Sequence, residues 1–301
     1  MLSQNFNEVR QAGGLELLAR QMVEGFITGL HKSPYHGFSV EFAEHRLYNE
    51  GQSTRHIDWK VFARTDRLYT KQYEEETNLR CLIALDCSPS MYYPRPEMQK
   101  IKFSVYAAAA LCYLLSRQRD AVGLALFSDQ LDMLTEVKST PAHIDKLFNL
   151  LNKQLHAAPA PRPTHMADVL HILAEKIHKR SLVILFTDMF DDGNEEDIFK
   201  SLQHLKHNKH EVLLFHIADH ETELAFNFEE RPYEFIDLES GEKLKLNPVE
   251  IKEKFTSELH ELHTRLKIKC DQLKIDFISA DSRKNYFEVL QAYLIKRAKM
   301  R

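Results

Sequence analysis

From residue 79 onward, short unbroken apolar runs alternate with amphipathic stretches, and this alternation sets the fold class. Cys81-Leu-Ile-Ala-Leu85 holds no polar residue, as a strand covered on both faces requires. Met98 to Leu115 reads as a helix and Ala121 to Phe127 as the next strand. Leu131 to Val137 can pair with that strand across Ser128-Asp129-Gln130. Pro141 to Leu155 reads as a helix, with Thr140 as N-cap and Pro141 at the first helical position. Helices are expected over Ala167 to His178 and Glu195 to His207, and strands over Ser181 to Phe186 and Glu211 to Ile217. A β-hairpin follows over Tyr233 to Leu246, turning at Ser240-Gly241. A long helix, Pro248 to Leu273, leads to a strand, Ile275 to Ile278, and Tyr286 to Ala298 closes the chain as a helix. Repeated strand–helix units predict an α/β fold with a doubly wound, mostly parallel sheet.

The first 78 residues read differently. Leu15, Leu17, Leu18, Met22 and Phe26 recur at helical spacing within Glu8 to Gly29, and short alternating runs at Phe38 to Phe42 and Leu68 to Tyr73 read as strands. The expected organisation is an N-terminal extension over 1–78 and an α/β domain over 79–301.

Glycine is scarce. The 301 residues include 9 glycines, where an average share of about 7% gives roughly 21. None stands in a GxGxxG or GxxxxGK[ST] arrangement, which excludes the common glycine-built nucleotide cradles. Apolar residues, at 44%, supply a sizeable core and exclude a disordered chain. The net charge of −4 comes without a long basic run, so nothing points to nucleic acid. Lys296, Arg297, Lys299 and Arg301 read as a solvated helix end. No stretch reaches the roughly 18–20 apolar residues of a spanning helix, and the first residues hold no apolar signal core. Cys81, Cys87, Cys112 and Cys270 form no CxxC pair. A cytoplasmic protein with buried or incidental thiols is expected. Of the 16 histidines, His204, His207 and His210 recur every three residues, as do His260 and His263. Such spacing can hold zinc, but the expected role is that of surface side chains.

In open α/β sheets, ligands collect beyond the carboxyl ends of the strands. After Ile83-Ala-Leu85 comes Asp86-Cys87-Ser88-Pro89-Ser90. A proline-rich connector, Ala157 to Pro163, leads to Thr164. After Val183-Ile-Leu-Phe186 comes Thr187-Asp188. Three loops thus bring oxygen donors to one edge. Two carboxylates and several hydroxyls suit Mg²⁺, Mn²⁺ or Ca²⁺ rather than Zn²⁺. Alternate spacing turns Asp86, Ser88 and Ser90 the same way in an extended loop, and Pro89 stiffens it. A cation held by neutral hydroxyls and few carboxylates stays electrophilic and keeps an open position for a partner's carboxylate. The competing reading makes Ser88 and Ser90 caps of the next helix. An enzyme reading, a Mg²⁺-dependent phosphohydrolase with Asp86 as nucleophile, wants a second acid two residues on, where Ser88 stands. No GxSxG elbow is present. Six of the ten residues from 188 to 197 are acidic, either favouring a helix N-terminus or forming a negative rim.

Asp86-x-Ser88-x-Ser90, with Thr164 and Asp188 downstream, resembles the metal-ion-dependent adhesion site of von Willebrand factor A domains. The resemblance implies that Ser88, Ser90 and Thr164 bind the cation directly, that Asp86 and Asp188 act close behind, and that an acidic residue of the ligand completes the shell. A second stretch carries Arg46-Leu-Tyr48, Glu50-Gly51, Arg55-His-Ile57-Asp58-Trp59-Lys60, Ala63-Arg64 and Arg67-Leu-Tyr69. Together with the metal motif it is similar to the prokaryotic family called domain of unknown function 58, over roughly residues 30 to 290. That family implies a von Willebrand A-like fold, no catalytic activity, and a MoxR-type AAA+ ATPase as partner. By their own chemistry Arg55, Asp58, Trp59 and Arg64 read as structural, joining the first part of the chain to the sheet. The function expected is that of a cation-dependent protein-binding adaptor. The rivals are the phosphohydrolase and a scaffold that binds no metal.

Overall fold

The structure is a computed structural model. It describes residues 14–31, 46–47, 69–70, 79–94, 99–157, 165–189, 195–238 and 241–300. In chain order the elements are α1 (Leu15–His31), β1 (Arg46–Leu47), β2 (Tyr69–Thr70), β3 (Arg80–Asp86), α2 (Lys100–Arg117), β4 (Ala121–Phe127) and β5 (Leu131–Leu134). Then come α3 (Pro141–Gln154), α4 (Met166–Lys176), β6 (Leu182–Thr187), α5 (Glu195–His207) and β7 (Glu211–Ala218). A hairpin of β8 (Tyr233–Ile236) and β9 (Lys243–Leu246) precedes α6 (Pro248–Gln272), β10 (Asp276–Asp281) and α7 (Phe287–Met300). A 3₁₀ turn covers Pro89–Tyr92 and a π-helical turn His220–Leu224.

Six strands form the central sheet in the order β10-β7-β6-β3-β4-β5. All neighbours are parallel except β4 and β5, which pair antiparallel. The expected doubly wound, mostly parallel sheet is therefore present. The chain winds outward from β3 to β5, then returns to lay β6 on the other side of β3. The β3–β6 boundary is thus the switch point, where the crossovers on either side diverge and leave a crevice.

Alternation along the strands builds two cores. Leu82, Ala84, Val183, Leu185, Val212 and Leu214 pack with Met166 and Leu170 of α4, Leu202 of α5 and Leu266 of α6. The opposite residues, such as Ile83, Leu85 and Phe215, are also fully buried, and α2 lies against β3, β4 and β7. Ala107, Ala108, Ala109 and Ala110 of α2 are wholly buried.

Packing divides the chain differently from a single break at residue 78. Leu15–Phe26 belongs with the unit that resumes at Leu79, and Ile27–Asn78 forms a unit of its own. The cause is the apolar stripe of α1: Leu15, Leu18, Met22, Val23 and Phe26 are buried, and Phe26 meets Phe287 of α7 with ring centroids 5.6 Å apart. Within the smaller unit, β1 and β2 pair antiparallel, Arg46 opposite Thr70. The expected strand at 38–42 and the residues Arg55, Asp58, Trp59 and Arg64 lie outside the described residues.

Three details depart from the sequence reading. Thr140 stands at the N-cap of α3, but its side chain makes no capping bond. His210, expected at the surface, is completely buried; its Nδ1 accepts the Ser181 N–H at 3.3 Å beneath the start of β6, and burial lowers its pKa. Lastly, the turns that return the chain to parallel strands use no glycine. Arg119, Arg180, Lys209 and Lys274 adopt φ of 59°, 62°, 63° and 56°, each two residues before β4, β6, β7 and β10. After α2, α5 and α6 the next residue's N–H closes back on the last helical turn, as in Asp120 N to Leu115 O at 3.0 Å, His210 N to Leu205 O at 3.1 Å and Ile275 N to Cys270 O at 2.8 Å. This is the Schellman closure, whose left-handed position glycine usually fills.

Candidate metal centre

Asp86 ends β3 and Thr187 ends β6, and the two strands are in parallel register through Leu85 and Phe186. The side chains beyond that register step therefore meet in the switch-point crevice. Asp86 is fully buried and bonded through both oxygens. Oδ1 accepts the Ser88 backbone N–H at 2.9 Å, and Oδ2 accepts the Thr187 hydroxyl at 2.7 Å. Thr187 Oγ1 in turn accepts the Met189 N–H at 3.0 Å. Thr187 thus fixes the Asp86 carboxylate, a role its position next to Asp188 did not reveal.

Ser88 is buried and Ser90 half-buried, with their hydroxyl oxygens 3.0 Å apart. Ser88 occupies the N-cap of the 3₁₀ turn but makes no side-chain cap bond. Its hydroxyl is turned to Ser90 instead, so the capping reading fails for Ser88. Cys87 N–H donates to Phe127 O at 2.7 Å, which ties the loop to the end of β4.

Asp188, 2% exposed, accepts the Lys100 ammonium at 2.8 Å through Oδ2. Lys100 opens α2 and is completely buried. It also donates to Glu223 Oε1 at 2.5 Å, and Glu223 Oε2 accepts the Asp219 N–H at 2.7 Å. Glu223 stands on the π-helical turn beyond β7. That turn is anchored by Asp219 Oδ1, which accepts Glu221 N–H at 3.1 Å and Thr222 N–H at 2.9 Å, and by Arg283, 2.8 Å from Asp219 Oδ2. Sequence reading missed Lys100 and Glu223. Thr164 lies outside the described residues, so the site comprises Asp86, Ser88, Ser90 and Asp188 with Thr187, Lys100 and Glu223.

Burial pushes the Asp86 carboxyl up to about 7; the Asp188 charge adds to this, and the bonds from Thr187 and Ser88 oppose it. Burial likewise raises Glu223 against the pull of Lys100. For Lys100, burial works downward, but Asp188 and Glu223 outweigh it and hold the ammonium charged. Uncompensated negative charge at this depth is unfavourable, and a divalent ion is a direct way to offset it. The donors are hard oxygens, which fit Mg²⁺, Mn²⁺ or Ca²⁺. Among the described residues no group of three or more His, Cys, Asp or Glu side chains could hold a metal; a site here relies on hydroxyls beside its two carboxylates. Beside it, a cavity of about 20 Å³ is lined by Asp188, Met189, His216 and Glu223 among others, room for one water. The His216 Nδ1 has no hydrogen-bond partner.

The chain is 24% identical over 205 residues to the uncharacterized proteins Rv1480 of Mycobacterium tuberculosis (strain H37Rv) and Mb1516 of Mycobacterium bovis. The match takes in 68% of this chain and 63% of each relative, so the chain spans less than two thirds of the curated relatives' length. Among solved structures it is similar to the conserved hypothetical protein BatB from Bacteroides thetaiotaomicron, at TM-score 0.46 and 13% identity, covering 74% of this chain and 98% of that one. It is also similar to the SpRpn10 VWA domain, at TM-score 0.41 and 11% identity, covering 73% and 95%. Among the described residues no helix is long and apolar enough to cross a membrane. Residues 44–265 match the family described as protein of unknown function DUF58, and the chain belongs to that family.

Proposed function

We propose that this protein is a non-enzymatic adaptor that binds a protein partner through a divalent cation, Mg²⁺ by preference. Asp86, Ser88, Ser90, Thr164 and Asp188 hold the ion, and a carboxylate of the partner takes its open position. The observation that carries this reading is the burial, at the switch point, of Asp86 and Asp188 beside two paired hydroxyls. The ion supplies a positive centre that draws and orients an acidic group; the chain's own residues hold it and exclude water. The partner we propose is a MoxR-type AAA+ ATPase in the cytoplasm, or a client that it remodels, and this rests on the family resemblance alone.

Calorimetry with Mg²⁺, Mn²⁺ and Ca²⁺ tests the ion, and capture of the ATPase on the immobilised protein tests the partner. Asp86→Ala and Ser88→Ala are expected to abolish both without unfolding the chain, and EDTA to release the ATPase from the wild type. Capture that survives both substitutions and EDTA sinks the adaptor. Turnover of an aryl phosphate that disappears in Asp86→Asn would replace it with a hydrolase.

A further inference from the structure

Two carboxylates reach the same buried ammonium. Lys100 Nζ lies 2.8 Å from Asp188 Oδ2 and 2.5 Å from Glu223 Oε1, and the lysine side chain has no exposure. Among the described residues, Asp86, Asp188, Glu223 and Lys100 bring three carboxylates and one ammonium to the crevice. Ionised, they leave two negative charges in excess, which one divalent cation cancels. Take away Lys100 and the loaded site is negative; neutralise Glu223 and it is positive. Charges a few ångströms apart in a buried site interact by several kcal/mol, so one fixed charge decides whether a carboxylate is accepted.

We propose that Lys100 is the specificity-determining residue of this centre: a resident cation, shared by Asp188 and Glu223, that keeps the loaded site neutral and so open to an acidic partner. Glu223 is its counterweight and couples the centre to the π-helical turn beyond β7. The inference rests on the cation-site reading above and adds to it two residues from outside the DxSxS loop.

The test uses the full chain, with Mn²⁺ as probe of the centre and acetate as probe of its open position. Calorimetry follows Mn²⁺ binding, and water-proton relaxation follows displacement of Mn²⁺-bound water by acetate. Glu223→Gln is expected to weaken Mn²⁺ by about tenfold or more and to strengthen acetate. Lys100→Met is expected to do the reverse. Lys100→Met combined with Glu223→Leu restores the original charge balance and is expected to bring both affinities back near wild type. Lys100→Met alone strands two buried carboxylates and can unfold the chain; Glu223→Gln and the double variant then decide. Wild type that binds Mn²⁺ while Glu223→Gln leaves both affinities unchanged, or moves them in the same direction, overturns the role of Lys100 alone. Wild type that binds no Mn²⁺ takes down the metal centre and this inference with it.

Discussion

The two edges of the central sheet use buried charge in opposite ways. At the edge where the strands begin, charges are closely matched. Arg297 of α7 reaches the fully buried Asp120 together with Gln118 and the Tyr293 hydroxyl. Its neighbour Lys296 bonds Glu211 at 2.7 Å and Asp276 at 2.8 Å, the first residues of β7 and β10, and Lys206 reaches the same Glu211 at 3.2 Å, so three cations meet three carboxylates. These contacts pin α7 across the strand starts. At the edge where the strands end, Asp188 and Glu223 share the ammonium of Lys100, while the buried Asp86 is held by the Ser88 N–H and the Thr187 hydroxyl. The first set is balanced and structural; among the described residues, the group formed by Asp86, Asp188, Glu223 and Lys100 holds three carboxylates to one ammonium. A surplus retained in a buried place is a functional signal, because it lowers stability until something binds.

The largest effect expected from breaking this contrast is at the balanced edge. Arg297→Met, by stranding Asp120, should lower stability by about 3–5 kcal/mol in urea titration and leave Mg²⁺ affinity unchanged. A tenfold shift in that affinity would mean the edges are not separate. Next comes the ion. Mg²⁺ at about 100 times its Kd should add about 2.7 kcal/mol, and Asp86→Ala should remove that gain. An equal gain in the variant places the ion elsewhere.

The pH response sharpens the contrast further. Asp86, raised from 3.8 to about 7, holds a proton in the folded chain that the unfolded chain releases. Its contribution to metal-free stability therefore falls as pH rises through that window. His216 is lowered from 6.5 to about 4, by burial first and then by His263. It binds fewer protons folded than unfolded, so its contribution rises with pH between 4 and 6.5. The two slopes oppose each other, each at most about 1.4 kcal/mol per pH unit. In EDTA, His216→Phe should unmask a falling profile and Asp86→Asn a rising one; identical profiles would dismiss both. The smallest effect is at the helix exits. Lys209→Gly relieves a left-handed side chain but frees the unfolded chain, for a net gain of about 0.5 kcal/mol. A loss of stability there would show that the basic side chain itself holds the turn.

The sheet was legible because its strands are buried on both faces, which writes them as unbroken apolar runs such as Cys81–Leu85. Helix α5 was found at its observed ends, Glu195 and His207, since acids and bases mark its two termini. Asp86, Ser88, Ser90 and Asp188 were legible for a related reason: they follow apolar runs directly, and fold topology places strand ends together. Lys100 and Glu223 were not. A lysine in the first turn of a helix reads as solvated, and its partners lie 88 and 123 residues away. Only the winding that sets the π-helical turn beside the start of α2 makes it a buried charge. His210 went unread in the same way, because a left-handed Lys209 folds it inward.

Those left-handed exits have an electrical consequence. Arg119, Arg180, Lys209 and Lys274 are all exposed, and all stand where the chain enters the sheet, at the far end of the strands from Asp86. Glycines would have turned the corners in silence. These residues instead place four exposed cationic side chains where the chain enters the sheet, the end of the strands opposite Asp86.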